Sequence, residues 1–502
     1  MYRRDLLPDE IALMPEALKK TFTAFADAGY EIYLVGGGVR NILLGKIPTN
    51  CDLTTNATPE ETQRIMSSYE PYYENEFGMV GVPIKNLESR VKSQEINEVY
   101  EITTYRSEKG YSDFRRPDEV TWGKTLEEDV KRRDFTMNAI VIGLKKNQES
   151  RVKNLEYELI DYVNGLRDFE EGIMRTVGDP EERFGEDALR MMRAIRFAAT
   201  QSFRIEPATL AAITKKAPLL AKISRERVRD ELWKILKSNY PADGMRLLIT
   251  TGLMEFIIPE VLAARGVDQT GHHTLDVLEH MLEALRYSPS SDPLVRFATF
   301  VHDIGKPRTK RWRCVKCGTF LHDNNRVENG SLECHECHTV QTEHEATTFY
   351  GHEVVGSRMV EQIADSLRLT KKEKEKLITL VRWHMFSYQK EMTDAAVRRF
   401  IARVGKENIN DMILLRIGDR KGGGSKTTSW RLMELQKRIG EQLYEPMEVK
   451  DMAVKGEDVM KVLNIPPGKR VGEVLNKLFE EVMEDTSKNE REYLLKRIKE
   501  IG

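Results

Sequence analysis

The stretch "VGGGVRNILLGKIPTNCDLTT", from Val35 to Thr55, decides the fold of the N-terminal part of the chain. It begins as an apolar strand, turns at three glycines, continues as a short helix and ends in an alternating segment with Asn50 and Asp52. Glycines let the backbone approach a phosphate closely, and the N-terminus of the following helix favours anions. Alternate residues of a strand point to the same face, so positions 50 and 52 could share a pair of metal ions. The pattern predicts a phosphate cradle followed by a metal-binding pair in which one member is an amide.

The pattern of apolar residues changes near residue 146. Before it, the strand-like runs "YEIYLVGG", "EVYEITTYR" and "NAIVIGL" alternate with short helical segments. Glu101, in the second run, is either a third metal ligand or an ordinary solvated strand residue. After it, apolar residues recur at helical spacing, as in "EDALRMMRAIRFAATQ" and "SRERVRDELWKILKS". We therefore predict an α+β protein: an α/β head at 1–145, a helical body at 146–265, a histidine-rich helical domain at 266–425 with an insert at 308–348, and a helical tail at 426–502.

The composition predicts a protein with several domains and metal chemistry in one region. A chain of 502 residues is too long for one core, and it has no apolar run long enough to span a bilayer. The N-terminus lacks the apolar region of a secretory signal. Four of the five cysteines lie between Cys314 and Cys337, and all ten histidines lie between His272 and His384. A reducing, cytoplasmic setting without a membrane partner is the simplest expectation.

The cysteines of the insert have the spacing of a zinc site. The segment "CVKCGTFLHDNNRVENGSLECHEC" has the form C-x2-C-x16-C-x2-C, which fits two knuckles that close on one tetrahedral Zn²⁺. We predict a structural zinc ion held by Cys314, Cys317, Cys334 and Cys337, with free thiols as the alternative. Basic neighbours indicate either a contact with RNA or a solvated surface; they are Lys306, Arg308, Lys310, Arg311, Arg313 and Lys316.

Four segments together resemble a known enzyme family. They are "GGGVR…LLGKIPTNCDLTTNATPEE", "EITTYRSEKGYSDFRRP", "EEDVKRRDFTMNAI" and "RFGEDALRMMRAIRFA". In this order and spacing they resemble the class II tRNA nucleotidyltransferase and poly(A) polymerase family, whose heads belong to the DNA polymerase beta superfamily. With the C-terminal "LNIPPGKRVGEVLNKL", the resemblance covers nearly the whole chain. It implies a nucleotidyltransferase head, a tRNA-binding tail, and addition of CMP, CMP and AMP from CTP and ATP to a tRNA 3′ end without a nucleic-acid template.

The resemblance also implies roles for individual residues. Asp52, Asn50 and Glu101 would hold Mg²⁺ for two-metal nucleotidyl transfer. The residues implied to bind the nucleotide are Gly36, Gly37, Arg40, Arg132, Arg133, Asp134, Asn138, Glu186, Asp187 and Arg190. Asp187 and Arg190, three residues apart, would share a helix face and could bind the amine and ring nitrogen that cytosine and adenine both offer. An ordinary salt bridge between them is the alternative.

Two asparagines depart from the family pattern. Members commonly have aspartate where this chain has Asn41 and Asn50. An amide oxygen can bind Mg²⁺, but it brings no charge to offset the ion. Asn50 has three possible explanations: a natural variant that still works, an engineered substitution, or a non-catalytic head. We favour the first because the other motif residues are present. The loop "YSDFRRPDEV" favours complete CCA addition, since in the family a loop here accompanies addition of the final A.

A second group of residues resembles the HD phosphohydrolase family. His280, His302-Asp303 and Asp419 follow that family's ligand order, and His352 and His384 stand where two-metal members carry further histidines. Imidazole and carboxylate ligands suit a divalent transition metal, which activates water for phosphoester hydrolysis. The leading expectation is thus a CCA-adding enzyme with an HD phosphohydrolase domain. The alternatives are a relative that adds only CC, only A or poly(A), an RNA-end hydrolase with a catalytically weakened head, and, least favoured, a non-enzymatic RNA-binding protein.

Overall fold

The structure is a computed structural model. It describes residues 1–49, 51–75, 78–85, 97–109, 119–123, 125–145, 156–269, 275–327, 330–386, 388–425 and 429–502. The chain divides into two compact units, one of residues 1–240 and 246–257 and the other of residues 241–245 and 258–502. In the described parts, every helix is too short or too polar to cross a membrane.

The first unit contains the strands and helices of the predicted head and body. The strands are β1 (Tyr2–Asp5), β2 (Ile32–Val35), β3 (Asp52–Thr55), β4 (Tyr72–Asn75), β5 (Met79–Lys85), β6 (Asn97–Thr104), β7 (Arg106–Lys109), β8 (Glu119–Trp122), β9 (Val141–Leu144), β10 (Tyr157–Asp161), β11 (Ile173–Met174) and β12 (Arg204–Ile205). The helices are α1 (Pro8–Ala12), α2 (Glu16–Asp27), α3 (Gly37–Leu43), α4 (Pro59–Ile65), α5 (Leu126–Lys131), α6 (Gly165–Glu170), α7 (Pro180–Glu186), α8 (Leu189–Gln201), α9 (Pro207–Lys216), α10 (Arg225–Lys237), α11 (Pro241–Thr250), whose first half belongs to the second unit, and α12 (Met254–Ile257).

A mixed sheet of eight strands forms the centre of the head. Its order is β1-β10-β9-β2-β3-β6-β5-β4, and β3 and β6 are its parallel pair. Helix α2 has apolar residues at positions i, i+4 and i+7, namely Leu18, Phe22 and Phe25, and these join the sheet residues Leu34 and Ile142 in one buried core. The three predicted strand runs correspond to β2, β6 and β9.

The second unit is helical apart from the insert. Its helices are α13 (Val277–Arg286), α14 (Pro293–Val301), α15 (Lys306–Thr309), α16 (Glu343–Ala346), α17 (His352–Ser366), α18 (Lys371–Trp383), α19 (Asp394–Val404), α20 (Ile409–Gly422), α21 (Trp430–Gln442), α22 (Gly456–Leu463), α23 (Lys469–Glu484) and α24 (Arg491–Ile501). Its strands are β13 (Arg311–Arg313), β14 (Phe320–Leu321), β15 (Leu332–Glu333), β16 (Val340–Gln341) and β17 (Thr347–Thr348).

The tail is fastened to the histidine-rich helices by one buried arginine. Arg398, on α19, donates from Nε and Nη2 to the carbonyl oxygen of Met483 at 3.1 and 2.8 Å, and from Nη2 to that of Glu484 at 3.1 Å. Carbonyl groups in the last turn of a helix have no N–H donor within the helix, so a cation that donates to them satisfies them and complements the helix dipole. Arg398 thereby caps α23.

The fold agrees with the predicted α+β class, with a mixed-sheet head followed by helices and a cluster of four cysteines. The predicted division into four domains, with boundaries at 145, 265 and 425, stays a prediction. Asn50 and most of the loop at 111–120 lie outside the described residues.

Candidate active sites and metal centres

The glycine turn brings the start of α3 close to the carboxylate of Asp52. Gly36 has φ +64° and ψ −124° and precedes the helix as its N-cap. A Cβ atom on Gly36 would lie 3.3 Å from Asp52 Oδ2, so the turn leaves little more than a hydrogen atom's space there. The carboxylate therefore lies beside the N-terminus of a helix, as the sequence predicted for a phosphate cradle.

Asp52 and Glu101 lie side by side on the sheet. They are Cα partners in the parallel pair of β3 and β6, so their side chains leave the same face. Both are exposed to solvent. Desolvation by neighbouring protein raises the pKa of Asp52, and the positive charges of Arg133, Arg40 and Arg193 oppose that rise. The register thus supports the predicted pairing of Asp52 with Glu101.

A buried aspartate holds the two arginines of the "RRD" segment. Asp129, in α5, accepts from Arg132 Nε at 3.0 Å, from Arg133 Nη2 at 3.0 Å and from Thr54 Oγ1 at 3.0 Å. Burial raises the pKa of Asp129, but the charges and hydrogen bonds of both arginines outweigh it and lower that pKa to about 2. Asp129 is therefore ionised and fixes both guanidinium groups next to the strand that carries Asp52.

A second buried aspartate organises the residues that follow. Asp134 accepts from Arg193 Nε at 2.9 Å and from Asn138 Nδ2 at 2.9 Å. Burial raises the pKa of Asp134, but the Arg193 charge and these hydrogen bonds hold it below its usual range. Asn138 in turn accepts from Arg40 Nη1 through its amide oxygen. Arg40 is thereby linked to Asp134 through one amide side chain.

Three arginines surround the ring of Phe197. The Cζ atoms of Arg40, Arg193 and Arg196 lie 4.8, 5.8 and 4.3 Å from its centroid. An aromatic face attracts cations, so the ring reduces the repulsion among three positive groups. Burial lowers the pKa of Arg40 to about 10, against the attraction of Asp134. The cluster remains cationic at neutral pH and suits a polyanionic ligand.

The "EDALR" segment differs from its predicted geometry. Helix α7 ends at Glu186, Asp187 has the extended values φ −137° and ψ 104°, and α8 begins at Leu189. Asp187 and Arg190 therefore do not share the face of one continuous helix, and that expectation was wrong. Asp187 accepts from Arg227 at 3.1 Å, and Arg190 pairs with Glu186. The break frees Asp187 from the helix and turns it toward α10.

Sequence reasoning missed the residues that hold these motifs in place: Asp129, Arg193, Phe197 and Arg227. A partial signal existed for Asp129, since a carboxylate three and four residues before two arginines faces both on a helix. Arg227 has no such local signal, because its partner Asp187 is 40 residues away in the chain.

The predicted ligands of the second unit converge in one buried cluster. The Nε2 atom of His280 lies 3.2 Å from that of His302 and 3.2 Å from Asp419 Oδ1, and that of His352 lies 3.3 Å from that of His384. Asp303 joins the two halves: its Oδ2 lies 3.2 Å from His302 Nε2, and its Oδ1 lies 3.2 Å from His352 Nε2. His280, His352 and Asp419 lie within α13, α17 and α20, whereas His302 and Asp303 follow the end of α14 and His384 follows the end of α18. The structure therefore brings together all six residues that the sequence order singled out.

Close packing of two helices brings Asp419 to His280. A Cβ atom on Gly422 of α20 would lie 2.4 Å from the backbone nitrogen of Ala284 on α13. Any larger residue at 422 would push the helices apart, and with them Asp419 and His280. The glycine of the "RIGDRKG" segment is therefore part of the construction of the cluster.

The histidines are oriented for metal binding. The Nδ1 atoms of His302, His352 and His384 lie 2.7, 2.9 and 2.7 Å from the backbone carbonyl oxygens of Thr299, Phe349 and Val381. An N–H donated to a carbonyl fixes the tautomer, so each Nε2 presents its lone pair to the centre. Nitrogen and carboxylate donors in this arrangement fit divalent transition metals, and Asp303 has one oxygen for each half of the cluster.

The charges of the cluster also favour a cation. Burial lowers the pKa of His302, but Asp303 and Asp419 outweigh it and raise that pKa to about 10, so a metal ion that binds Nε2 would displace a proton from it. A cavity of about 550 Å³ opens onto the cluster, and Lys306 and Arg416 line it beside the ligands. These cations pair with Asp303 and Asp419, respectively, and face the volume that a substrate phosphate would enter.

The four cysteines of the insert form a compact group. Their Sγ atoms all lie within 4.8 Å of one another, and the pairs Cys314–Cys337 and Cys317–Cys334 are 3.5 Å apart. A tetrahedral Zn²⁺ with bonds of about 2.3 Å needs sulfur atoms roughly 3.8 Å apart, so the group fits this ion. The described residues contain potential metal clusters of three or more such ligands only here and in the histidine cluster.

The two cysteine turns, which are the knuckles of the predicted zinc site, have the same backbone hydrogen bond. In the first, Gly318 N donates to Cys314 O at 2.9 Å, and in the second His338 N donates to Cys334 O at 2.9 Å. Gly318 has φ +78° and His338 has φ +54°. The histidine thus occupies a left-handed position that glycine occupies in the first knuckle.

Three family models match successive parts of the chain. "Poly A polymerase head domain" matches residues 32–175, "Probable RNA and SrmB- binding site of polymerase A" matches 202–265, and "tRNA nucleotidyltransferase domain 2 putative" matches 339–498. None of these descriptions names an HD phosphohydrolase.

Curated relatives are similar over about half of this chain's length. The CCA-adding enzyme of Levilactobacillus brevis is 42% identical over 250 residues, which are 50% of this chain and 56% of the relative. That of Streptococcus gordonii is 41% identical over 264 residues, 53% of this chain and 59% of the relative. The chain spans little more than half the length of these relatives.

Solved structures of CCA-adding enzymes share the fold. The Bacillus stearothermophilus enzyme in complex with CTP has a TM-score of 0.64 at 24% identity, covering 99% of this chain and 98% of that one. The Thermotoga maritima enzyme complexed with tRNA has a TM-score of 0.57 at 19% identity, covering 100% and 99%. The head, RNA-binding and second-domain models match in this order along one chain, which is therefore similar to CCA-adding tRNA nucleotidyltransferases in both its N-terminal and its C-terminal parts.

Proposed function

We propose that this protein is a CCA-adding tRNA nucleotidyltransferase that joins CMP, CMP and AMP to tRNA 3′ ends. The observation that carries the proposal is the pairing of Asp52 with Glu101 on adjacent strands beside the N-terminus of α3. A triphosphate there would face that helix end and the cations Arg40, Arg132 and Arg133. The RNA 3′ hydroxyl attacks the α-phosphorus, and the bond to pyrophosphate breaks.

The head would use Mg²⁺, held by Asp52, Glu101 and residue 50. The ion supplies charge that offsets the triphosphate and the developing charge in the transition state. Asp129 keeps Arg132 and Arg133 in place, and Asp134 does the same for Asn138 and, through it, Arg40. Asp187 and Arg190 are proposed to select the base, with Arg227 holding Asp187.

Incorporation of labelled CTP and ATP onto tRNA that lacks its 3′ end tests this proposal. We expect incorporation by the natural chain, and faster incorporation by Asn50→Asp at limiting Mg²⁺, because the carboxylate adds charge beside the ion. No incorporation by either protein would contradict the nucleotidyltransferase proposal. Sequencing the extended ends separates CCA addition from addition of only CC, only A or poly(A).

We further propose that the histidine cluster is an HD-type phosphohydrolase site. The observation that favours it is the orientation of three Nε2 atoms toward Asp303, whose two oxygens face the two halves of the cluster. Bound divalent transition metals would lower the pKa of a bound water. With a 2′,3′-cyclic phosphate, a water oxygen adds to phosphorus, one ring P–O bond breaks, and the leaving oxygen takes the proton. Lys306 and Arg416 would hold the phosphate.

Metal analysis and hydrolysis assays test the second activity. We expect hydrolysis of a 2′,3′-cyclic nucleotide by the natural chain, a loss of at least roughly a hundredfold in His302→Ala, and one Zn²⁺ that stays bound to the four cysteines in both proteins. Equal hydrolysis by both proteins would contradict the assignment of the cluster as the hydrolytic site.

A further inference from the structure

The insert, defined here as residues 308–348 and called the zinc ribbon, reaches the mouth of the hydrolase cavity. Thr347 and Thr348 of β17 pair with β13 and also line the cavity, as do the next residues Phe349 and Tyr350. The carbonyl oxygen of Phe349 accepts from Nδ1 of His352, a proposed metal ligand, at 2.9 Å. One short segment therefore connects the ribbon, the cavity rim and the metal cluster.

Two exposed aromatic rings flank an arginine on this rim. The side chain of Tyr350 is 73% exposed and that of Phe320 is 52% exposed. The Cζ atom of Arg313 lies 4.7 Å from the ring centroid of Phe320 and 5.4 Å from that of Tyr350. Arg313 Nε also donates to the carbonyl oxygen of Gly318 at 2.9 Å, so the first zinc knuckle holds the guanidinium in position. We call Phe320, Arg313 and Tyr350 the stacking ladder.

The surface around the ladder is basic. Residues 304–322 contain six lysines and arginines and no aspartate or glutamate. Arg308, Arg311 and Lys316 among them are exposed. Exposed aromatic rings interleaved with arginine and surrounded by positive charge are the features with which proteins bind single-stranded nucleic acid, because bases stack on the rings while cations contact the phosphates.

We propose that the stacking ladder binds the unpaired bases at the 3′ end of an RNA and directs its terminal phosphate into the cavity. This proposal rests on the proposed hydrolase function and names its substrate class. The base of the terminal nucleotide stacks on Tyr350, which lines the cavity. The preceding base stacks on Phe320. Two rings serve two bases, so an oligonucleotide end binds more tightly than a free mononucleotide, which reaches only Tyr350.

The test measures binding and hydrolysis by the full-length protein. Binding is followed by fluorescence anisotropy with a 5′-labelled single-stranded RNA that ends in a 3′ phosphate, and with the same RNA carrying an abasic terminal nucleotide. We expect Tyr350→Ala and Phe320→Ala each to weaken binding of the first RNA roughly tenfold, and Tyr350→Phe to bind like the natural chain. Tyr350→Ala should lose nothing further when the terminal base is removed. Val340→Ala, at an exposed apolar residue elsewhere in the ribbon, is the matched control and should bind normally.

Hydrolysis assays separate the effect of the stacking ladder on substrate binding from the chemistry of the histidine cluster. We expect Tyr350→Ala to raise KM for an RNA with a 2′,3′-cyclic end and for a cyclic mononucleotide, and Phe320→Ala to raise it only for the RNA. Neither variant should change hydrolysis of ribose 2,3-cyclic phosphate, which has neither a base nor any other aromatic ring. If the natural chain hydrolyses none of these esters, the hydrolase proposal fails, while the binding measurements still decide the ladder. RNA binding that is equal in all variants would overturn the proposal for the stacking ladder. An equal loss of hydrolysis with every ester, including the one without a base, would also overturn it.

Discussion

Gly36 meets two separate steric conditions, one set by its backbone and one by its neighbour. Its φ of +64° is strained for residues with a Cβ atom, and such an atom would lie 3.3 Å from Asp52 Oδ2. We expect Gly36→Ala to lose about 1–2 kcal/mol of folding stability and to displace the carboxylate, lowering kcat of CTP incorporation at least tenfold.

Gly45→Ala separates the two effects. Gly45 has a similar φ of +69° but no atom within 4 Å of the position of a Cβ. It should lose comparable stability in thermal unfolding and keep its incorporation rate. An equal fall in kcat for both variants would show that strain alone, and not contact with Asp52, explains the effect.

The ionisation of Asp129 should make the unfolding free energy of the head depend on pH. Its folded-state pKa of about 2 lies below the usual value of 3.8, so its stabilising contribution is complete above pH 3.8 and is lost as the pH falls through 2. From the size of this shift the contribution is roughly 2–3 kcal/mol. We expect Asp129→Asn to lose about that amount at pH 7, and to show a smaller fall in unfolding free energy between pH 4 and pH 2, measured with urea.

Glu127→Gln on the same helix provides the control. Glu127 forms an exposed pair with Lys131, which contributes under about 1 kcal/mol. If Asp129→Asn were as stable as this control, the positions of Arg132 and Arg133 would not depend on the buried charge of Asp129.

At this scale the sequence indicated candidate site residues, but not the side chains that hold them in place. Arg132 and Arg133 were predicted as phosphate-binding residues, but the role of Asp129 in holding them was not. The contact between Asp187 and Arg227 was missed, and the helix was expected to continue through Asp187. An extended residue between two helices is decided by packing and a distant partner, which local periodicity does not record.

At the scale of elements, the two zinc knuckles differ at one strained position. His338 has φ +54° where the first knuckle has Gly318. We expect His338→Gly to stabilise the ribbon by about 0.5–1 kcal/mol, because the exposed contact of His338 with Glu333 is worth little. The added stability should appear as slower release of zinc from His338→Gly to a chelator. Gly318→Ala should release zinc faster than the natural chain. Unchanged release in both variants would contradict the argument from strain.

The elements themselves were more predictable than their ends. The glycine turn, the strand before it and the helix after it were predicted from "VGGGVRNILL", and α10 from its apolar spacing. The order of the six histidine and aspartate residues indicated a common metal site; the fold brings them together, and the site itself stays a prediction. The close approach of α13 and α20 at Gly422 was not predicted, since a glycine inside a helix has no local explanation.

At the scale of the whole molecule, each proposed activity has all its residues within one unit. Asp52 and Glu101 belong to the first unit, and the histidine cluster belongs to the second. We expect Asp52→Asn to lower CTP and ATP incorporation at least roughly a hundredfold and to leave hydrolysis of a cyclic nucleotide unchanged. His302→Ala should show the reverse. Circular dichroism and zinc content, unchanged in both, would exclude misfolding.

Loss of both activities in either variant would contradict this independence. The sequence predicted two separate groups of catalytic residues, because glycine, aspartate and arginine motifs lie before residue 200 and all histidines lie after residue 271. The contacts divide the chain near residues 240–258, and the sequence predicts a domain boundary at 265, after Pro259.

The pairing of the first and last strands of the zinc ribbon has a practical consequence for protein engineering. Arg311 of β13 and Thr348 of β17 are direct Cα partners, so the chain leaves and re-enters the helical domain at neighbouring points. Paired residues of antiparallel strands lie about 5 Å apart, a gap that two residues can bridge. The ribbon can therefore be excised and replaced by a Gly-Gly link, or transplanted into a related hydrolase domain as a self-contained cassette.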